Sequence, residues 1–211
     1  MTTPHTILFH KPFGVLSQFS RSGDHQVLAD FGPFPDNVYP VGRLDADSEG
    51  LLLLSDDSHL LHRLTDPKFG HDRTYLAQVE RVPSPEAIKE LAAGIQIGEY
   101  VTRPATVRLL SAEPPLAERP VPIRFRKNVP TSWLELKLTE GKNRQVRRMT
   151  AAVGHPTLRL VRTGTLFLTI DGVAPGGWRE LTENEERRLR EVIGSPPAGA
   201  RRPHAQRFFN R

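Results

Sequence analysis

Residues 42–54 read Gly42-Arg43-Leu44-Asp45-Ala46-Asp47-Ser48-Glu49-Gly50-Leu51-Leu52-Leu53-Leu54, a polar turn that runs straight into an apolar block. Four consecutive leucines have the length of one buried strand. The turn therefore lies beside the core. An arginine close to a carboxylate, as in Arg43 and Asp45, keeps the carboxylate ionised for work as a nucleophile or base. A solvated surface turn is the other interpretation of the same residues.

The acidic residues of this stretch also imitate a calcium-binding loop. Asp45, Asp47 and Glu49 fall at its first, third and fifth positions. The ninth position would then be Leu53, which offers no side-chain oxygen, and the twelfth would be Asp56 in place of the usual bidentate glutamate. The pattern therefore argues against calcium.

The composition is that of a globular chain without cysteine. Its 211 residues favour one domain, and a hydrophobic content of 37% can supply a core. No apolar run approaches the roughly 18 residues of a membrane span, and the first ten residues do not resemble a signal peptide. We therefore expect a cytoplasmic protein without membrane attachment.

Cofactor and metal signatures are missing from the sequence. Without cysteine there are no disulfides, no thiol catalysis and no cysteine-based zinc site. His59 and His62 are the remaining zinc candidates, but no HExxH pattern accompanies them. Because Walker A and Rossmann glycine signatures are also missing, we expect no cofactor and no metal.

Positive charge is concentrated in residues 119–162. Eleven lysines and arginines against two glutamates give this segment a net charge of +9, whereas the whole chain carries only +5. A block of this kind favours a polyanionic partner, either nucleic acid or an anionic membrane surface. A solvated basic face is the alternative.

Periodicity and capping signals predict the remaining elements. Strands are expected at residues 6–9, 51–54, 73–80, 101–110, 133–139, 158–161 and 166–170. Helices are expected at residues 84–94, at 143–153, and from the capping box of Thr182 and Glu185 to Gly194. This order predicts an α+β fold with a mixed, largely antiparallel sheet flanked by helices. Residues 1–194 would form the domain, and the basic residues 195–211 a disordered tail.

The helix predicted at residues 143–153 gathers three arginines. At about 100° per residue, Arg144, Arg147 and Arg148 share one face, and apolar residues such as Val146 lie on the opposite one. Three guanidiniums together suit phosphate oxygens or a carboxylate. The alternative is an ordinary amphipathic surface helix.

Four motifs occur in a specific order along the chain. They are His10-Lys11-Pro12-Phe13-Gly14-Val15-Leu16-Ser17-Gln18-Phe19, the stretch at 42–54, Arg73-Thr74-Tyr75, and Asn143-Arg144-Gln145-Val146-Arg147-Arg148-Met149. With these motifs the chain resembles the RsuA/RluE family of pseudouridine synthases, over residues 6–182. The likeness is closest to the RluE-type branch, which acts on large-subunit (23S) ribosomal RNA, and residues 126–133 share in it. His10 departs from a common asparagine, and Lys142 from a frequent arginine.

The resemblance implies a pseudouridine synthase fold and an isomerase that needs no cofactor. The bond between a nitrogen of the base and a carbon of the sugar breaks and the base rejoins through carbon, so nothing enters or leaves. By resemblance Asp45 is the catalytic carboxylate, Tyr75 packs on the flipped uracil, and Arg43 helps to extrude the base. The basic residue that pairs with the aspartate corresponds to Arg147, although Arg144 and Arg148 share its face.

The resemblance also implies an RNA partner. Lys142, Arg144 and Arg148 are then the expected RNA-binding residues, on a monomer that lacks the S4 domain of many relatives. Two other classes stay open: a non-catalytic ribosomal RNA-binding or assembly protein, and a nucleoside hydrolase or glycosidase that uses Asp47 or Glu49 as its second carboxylate. The same activity on another structured RNA is a third possibility.

Overall fold

The computed structural model describes residues 4–123 and 129–194. The predicted tail at 195–211 and residues 124–128 of the basic segment lie outside this part. The strands are β1 (Thr6–Lys11), β2 (Tyr39–Pro40), β3 (Glu49–Ser55), β4 (Arg73–Glu80), β5 (Gln96–Ile97), β6 (Tyr100–Val101), β7 (Thr106–Leu109), β8 (Thr131–Leu138), β9 (Thr157–Thr165), β10 (Leu168–Thr169) and β11 (Trp178–Glu180). The helices are α1 (Ser58–Thr65), α2 (Pro85–Ala93), α3 (Gln145–Ala152) and α4 (Glu183–Ile193). None of these four helices is long and apolar enough to cross a membrane.

One large sheet organises the described part of the chain. Its nine strands follow the order β11-β1-β3-β9-β4-β8-β7, with β10 paired to β9 and β2 to β3. The pairing of β3 with β9 is parallel, and the other pairings in this sheet are antiparallel. The predicted α+β class with a mixed, largely antiparallel sheet is therefore confirmed.

The leucines of β3 are buried on both faces of the sheet. Leu52 and Leu54 belong to the core that α2 and α3 cover, whereas Leu51 and Leu53 pack with residues of α1 and α4. Successive side chains of a strand point to opposite faces, so an unbroken leucine run requires apolar cover on both. This double burial fixes the position of the polar turn that precedes β3.

One predicted strand is wrong. Residues 101–110 were expected to be continuous, but β6 ends at Val101 and β7 begins at Thr106. Between them the backbone bonds to the last turn of α2 and to the segment after it: Ala105 N–H donates to the Ala92 carbonyl, and Thr102 N–H donates to the Ile95 carbonyl. These hydrogen bonds replace the sheet ladder over four residues.

Four elements escape the sequence prediction: the helix α1 and the short strands β2, β5 and β11. The helix α1 begins after Asp57, whose carboxylate accepts hydrogen bonds from the His59 and Leu60 backbone N–H groups. This N-cap was readable from the sequence. The strand β11 has three residues, too few to show a periodic pattern, and forms because it pairs with β1.

Candidate active site

A cavity of about 690 Å³ opens where the turn before β3, the start of β4 and the turn between β8 and α3 meet. Among the described residues that line it, five are cations and two are carboxylates. The cations are Arg43, Arg73, Lys142, Arg144 and Arg162, and the carboxylates are Asp45 and Glu140. The excess of positive charge suits a phosphate-bearing ligand.

Asp45 lies in a turn that is fixed on both sides. Ser17 Oγ donates to the Leu44 carbonyl at 2.8 Å and accepts from Leu44 N–H at 3.1 Å. On the other side Gly14 N–H donates to the Ala46 carbonyl at 2.7 Å. The segment Lys11-Pro12-Phe13-Gly14 and the residues after it therefore hold the backbone around Asp45, whose side chain is 37% exposed to the cavity and solvent.

The guanidinium of Arg144 joins two carboxylates. Its Nη1 lies 3.4 Å from Asp45 Oδ2, and its two terminal nitrogens donate to the two oxygens of Asp47 at 3.0 and 2.8 Å. Burial alone would raise the pKa of Asp47, but the hydrogen bond from Arg144 and the charge of Arg147 outweigh it and lower the pKa. Asp47 therefore stays ionised and holds Arg144 beside Asp45.

The expected pairing of Arg147 with Asp45 is not what the structure shows. Arg147 Nε lies 3.4 Å from Asp47 Oδ2, and its Nη2 donates to the Asp47 backbone carbonyl at 2.7 Å. Its Nη1 donates to the Thr157 carbonyl, so Arg147 ties the turn before β3 to β9. The arginine in contact with Asp45 is Arg144, and a catalytic role for Arg147 stays a prediction.

The prediction that Arg144, Arg147 and Arg148 share one face of a helix is also wrong. The helix α3 begins at Gln145, and Arg144 precedes it in a left-handed conformation with φ 49°. Arg144 therefore leaves the helical wheel and turns to the carboxylates. Arg148 points elsewhere and donates to the Ile97 carbonyl of β5 at 3.0 Å. The ammonium of Lys142 lies 4.5 Å from the centre of the Tyr100 ring, at the rim of the cavity.

Tyr75 and Arg43 take positions that fit their predicted roles. Tyr75 lies on β4, is 9% exposed, and lines the cavity, so an aromatic face is available at its wall. Arg43 is exposed two positions before Asp45, and it forms no ion pair or hydrogen bond within residues 4–123 and 129–194. A guanidinium without such partners can insert between the stacked bases of an RNA.

The sequence prediction missed three charged residues of the cavity wall. Arg73 donates to the carbonyls of Leu64 and His71, and Arg162 donates to the Leu51 carbonyl at 2.7 Å. The third, Glu140, is 2% exposed. Arg73 begins a recognised motif, and Glu140 is one of two acids in the basic segment, but only the tertiary structure brings them together.

A metal-binding cluster and a role of Glu49 as the second carboxylate of a glycosidase find little support in this geometry. In the described part of the chain no group of three or more metal-ligating side chains is present. Glu49 is 4% exposed, and both of its oxygens accept hydrogen bonds from Arg159. A carboxylate occupied in this way cannot activate water as a glycosidase base would.

Comparisons with known proteins agree with this description. The RNA pseudouridylate synthase family profile matches residues 5–152. The chain is 54% identical over 171 residues to ribosomal large subunit pseudouridine synthase E of Xanthomonas axonopodis, covering 80% of this chain and 90% of the relative. It is 39% identical to ribosomal large subunit pseudouridine synthase B of Bacillus subtilis, covering 90% and 72%. A crystal structure of a pseudouridylate synthase superposes with a TM-score of 0.73 at 26% identity, covering 90% of this chain and 75% of that one. The chain therefore belongs to the RNA pseudouridylate synthase family, as an enzyme of its RluE type.

Proposed function

We propose that this enzyme isomerises a specific uridine to pseudouridine in 23S ribosomal RNA, with Asp45 as the catalytic carboxylate and no cofactor. One observation carries the proposal: Asp45 points a carboxylate into a cationic cavity of nucleotide size, beside the guanidinium of Arg144. Cavities of about 300–1,000 Å³ are typical of small-molecule sites. The two similar proteins named above are ribosomal large subunit pseudouridine synthases, which supports large-subunit RNA as the substrate.

The reaction needs few groups. The N1–C1′ bond of the uridine breaks, the uracil turns, C5 bonds to C1′, and the C5 proton is lost while N1 gains one. An ionised carboxylate serves whether it attacks C1′ or takes a proton from the sugar. The atoms of substrate and product are the same, so no cofactor has to donate or accept a group.

The other cavity residues fit the handling of the base. Unstacking a nucleotide costs a few kcal/mol, which protein contacts have to recover. We assign Arg43 to the stack that the uridine leaves, and Tyr75 to the face of the uracil in the cavity. Lys142 lines the cavity and would bind a phosphate of the surrounding RNA, and we assign Arg148, which lies outside the cavity, to the same RNA surface.

The experiment compares pseudouridine maps of ribosomal RNA from cells with and without the gene. We expect one uridine of 23S RNA to lose its modification in the deletion strain and to regain it with the wild-type gene. Identical maps would contradict the proposal. Loss of a pseudouridine from another RNA would show that this other RNA is the substrate. Release of free uracil by the purified protein would indicate a glycosidase.

We propose further that the enzyme acts as a monomer in the cytoplasm, where its ribosomal RNA substrate is made. The cavity is formed by residues of one chain, so a second subunit is not needed to complete it. Light scattering of the purified protein should give the mass of one chain, 23.7 kDa. A mass of twice this value would contradict the proposal.

A further inference from the structure

Glu140 is a buried carboxylate at the wall of the cavity, just after β8. Three donors point at it: the Tyr100 hydroxyl, the Arg103 backbone N–H at 3.0 Å, and the Gln145 side-chain amide at 2.5 Å. Arg103 also places its Nε 3.9 Å from Glu140 Oε2. A buried carboxylate is unfavourable without such partners, so these three hydrogen bonds compensate the burial of Glu140.

Gln145 connects Glu140 with the turn before α3. Its Nε2 donates to Glu140, while its Oε1 accepts from Lys142 N–H at 2.9 Å. The Gln145 backbone N–H in turn donates to the Lys142 carbonyl at 3.1 Å. The segment from Lys142 to Gln145 is therefore closed by two hydrogen bonds, and Glu140 fixes the orientation of the side chain that makes one of them.

Arg144 lies inside this closed turn and depends on its shape. Its φ of 49° and ψ of 34° are left-handed, an unfavourable conformation for a residue other than glycine. Such a conformation persists where the surroundings enforce it. It directs the guanidinium away from α3 and towards Asp45 and Asp47.

The hairpin of β5 and β6 supports the same turn from outside. Tyr100 of this hairpin donates to Glu140, and its ring lies under the ammonium of Lys142. One turn further along α3, Arg148 donates to the Ile97 carbonyl. The hairpin, Glu140 and the start of α3 therefore form one connected unit.

We propose that Glu140 is a positioning residue, which acts through Gln145 and the turn at Lys142 to hold the Arg144 guanidinium against the active-site carboxylates. The inference rests on the proposed function, because the catalytic role of Asp45 is assigned there. Glu140 itself needs no contact with the reacting atoms.

The first test is Glu140→Gln, which keeps the size of the side chain but turns an acceptor oxygen into a donor amide. We expect the single-turnover rate constant at saturating RNA to fall about tenfold or more, while the Kd for RNA changes less than about threefold. The control is Glu135→Gln on β8, where Glu135 pairs with Arg108 near the surface and both quantities should stay unchanged. A wild-type rate in Glu140→Gln would overturn the proposal.

A double-mutant cycle separates positioning from general support of the fold. If Glu140 acts through Arg144, Glu140→Gln should lower the rate less than about twofold in an Arg144→Ala background. Effects that multiply would show that Glu140 acts by another route. Should Glu140→Gln fail to fold, Gln145→Met removes the same link, and a wild-type rate in that variant would equally overturn the proposal.

A measurement that needs no enzymatic turnover tests the positioning role of Glu140 independently of the proposed function. The two-point contact with Asp47 should hinder rotation of the Arg144 guanidinium, which NMR of the arginine side chains detects as separate Nη signals. We expect these signals to average in Glu140→Gln. Unchanged signals would contradict the positioning role even if the wild-type protein made no pseudouridine.

Discussion

At the scale of single residues, Lys11 is an amine buried beside the active-site turn. It is fully buried, and its Nζ donates to the carbonyls of Val15 at 2.7 Å and Pro12 at 3.0 Å. Burial lowers the pKa of Lys11 from 10.5 to about 7, against the opposing attraction of Glu49 and Asp47. Lys11 therefore loses its proton in the neutral range in the folded protein but not in the unfolded chain.

This difference predicts a stability that increases with pH. Between pH 7 and about 10 the unfolded chain keeps a proton on Lys11 that the folded protein has lost, so the free energy of unfolding should rise by up to about 1.4 kcal/mol per pH unit. Below pH 7 both states hold the proton and this slope vanishes. Urea unfolding at pH 7, 8 and 9 measures it, and Lys11→Met should remove most of the rise. Parallel pH profiles for the two proteins would contradict the assignment.

The placement of single site residues could be predicted only in part. Asp45, Arg43 and Tyr75 line the cavity as their motifs imply. Which arginine meets Asp45 could not be read from the helical period, because Arg144 leaves the helix in a left-handed turn. That turn depends on Glu140, which no local pattern connects with the site.

At the scale of elements, β3 pairs in parallel with β9, which contributes Leu160 and Arg162 to the cavity wall. Gly50 of β3 has φ 105°, and a Cβ at this position would lie 2.2 Å from the Arg162 carbonyl oxygen. A real Cβ cannot approach backbone so closely. Glycine is therefore required here for both the dihedral angle and the space.

We expect Gly50→Ala to be strongly destabilising. The collision and the strained dihedral angle together should cost about 3 kcal/mol or more, because the two paired strands have to separate. Gly172→Ala is the matched control: it has φ 77° but no atom within 4 Å of the added Cβ. Its cost should stay near 1 kcal/mol. Thermal unfolding compares the two, and equal losses would show that the collision is relieved at no cost.

Elements with strong local signals were predicted well. The strand β4 covers the predicted residues 73–80, and α2 begins after the predicted Ser84 cap. The predicted strand at 101–110 was wrong because Thr102 bonds to Ile95 and Ala105 bonds to Ala92, contacts that a sequence pattern does not show. Short strands such as β11 form because they pair with a neighbouring strand, and they are too short to show a periodic sequence pattern.

At the scale of the whole molecule, the asymmetric charge predicts how RNA affinity responds to salt. Each phosphate contact releases counterions, and one contact adds about 0.7 to the slope of log Kd against log salt for single strands. Lys142→Gln should weaken binding and lower this slope by about one contact. Arg21→Gln should not, because Arg21 pairs with Asp30 outside the cavity. Equal slopes in wild type and Lys142→Gln would show that the RNA phosphates bind elsewhere.

The proposed chemistry also predicts activity without a metal ion. Side chains supply every group in the mechanism, so excess chelator should leave turnover on a short stem-loop substrate within about twofold of the untreated rate. A short substrate is needed because the folding of long RNA itself can require magnesium. Loss of turnover that one specific metal restores would contradict the prediction.

The central claim is that Asp45, and not its neighbour Asp47, carries the chemistry. Asp45→Asn keeps the shape of the side chain but removes the carboxylate that attacks or takes the proton. Asp47→Asn is the matched control two residues away, where the loss of charge weakens the hold on Arg144 but leaves the Asp45 carboxylate in place.

Single-turnover pseudouridine formation on a 23S RNA fragment, measured together with the Kd for that fragment, tests the claim directly. We predict no product with Asp45→Asn and a Kd within about threefold of wild type, whereas Asp47→Asn should form product at a reduced but measurable rate. Turnover by Asp45→Asn within tenfold of the wild-type rate would contradict the claim.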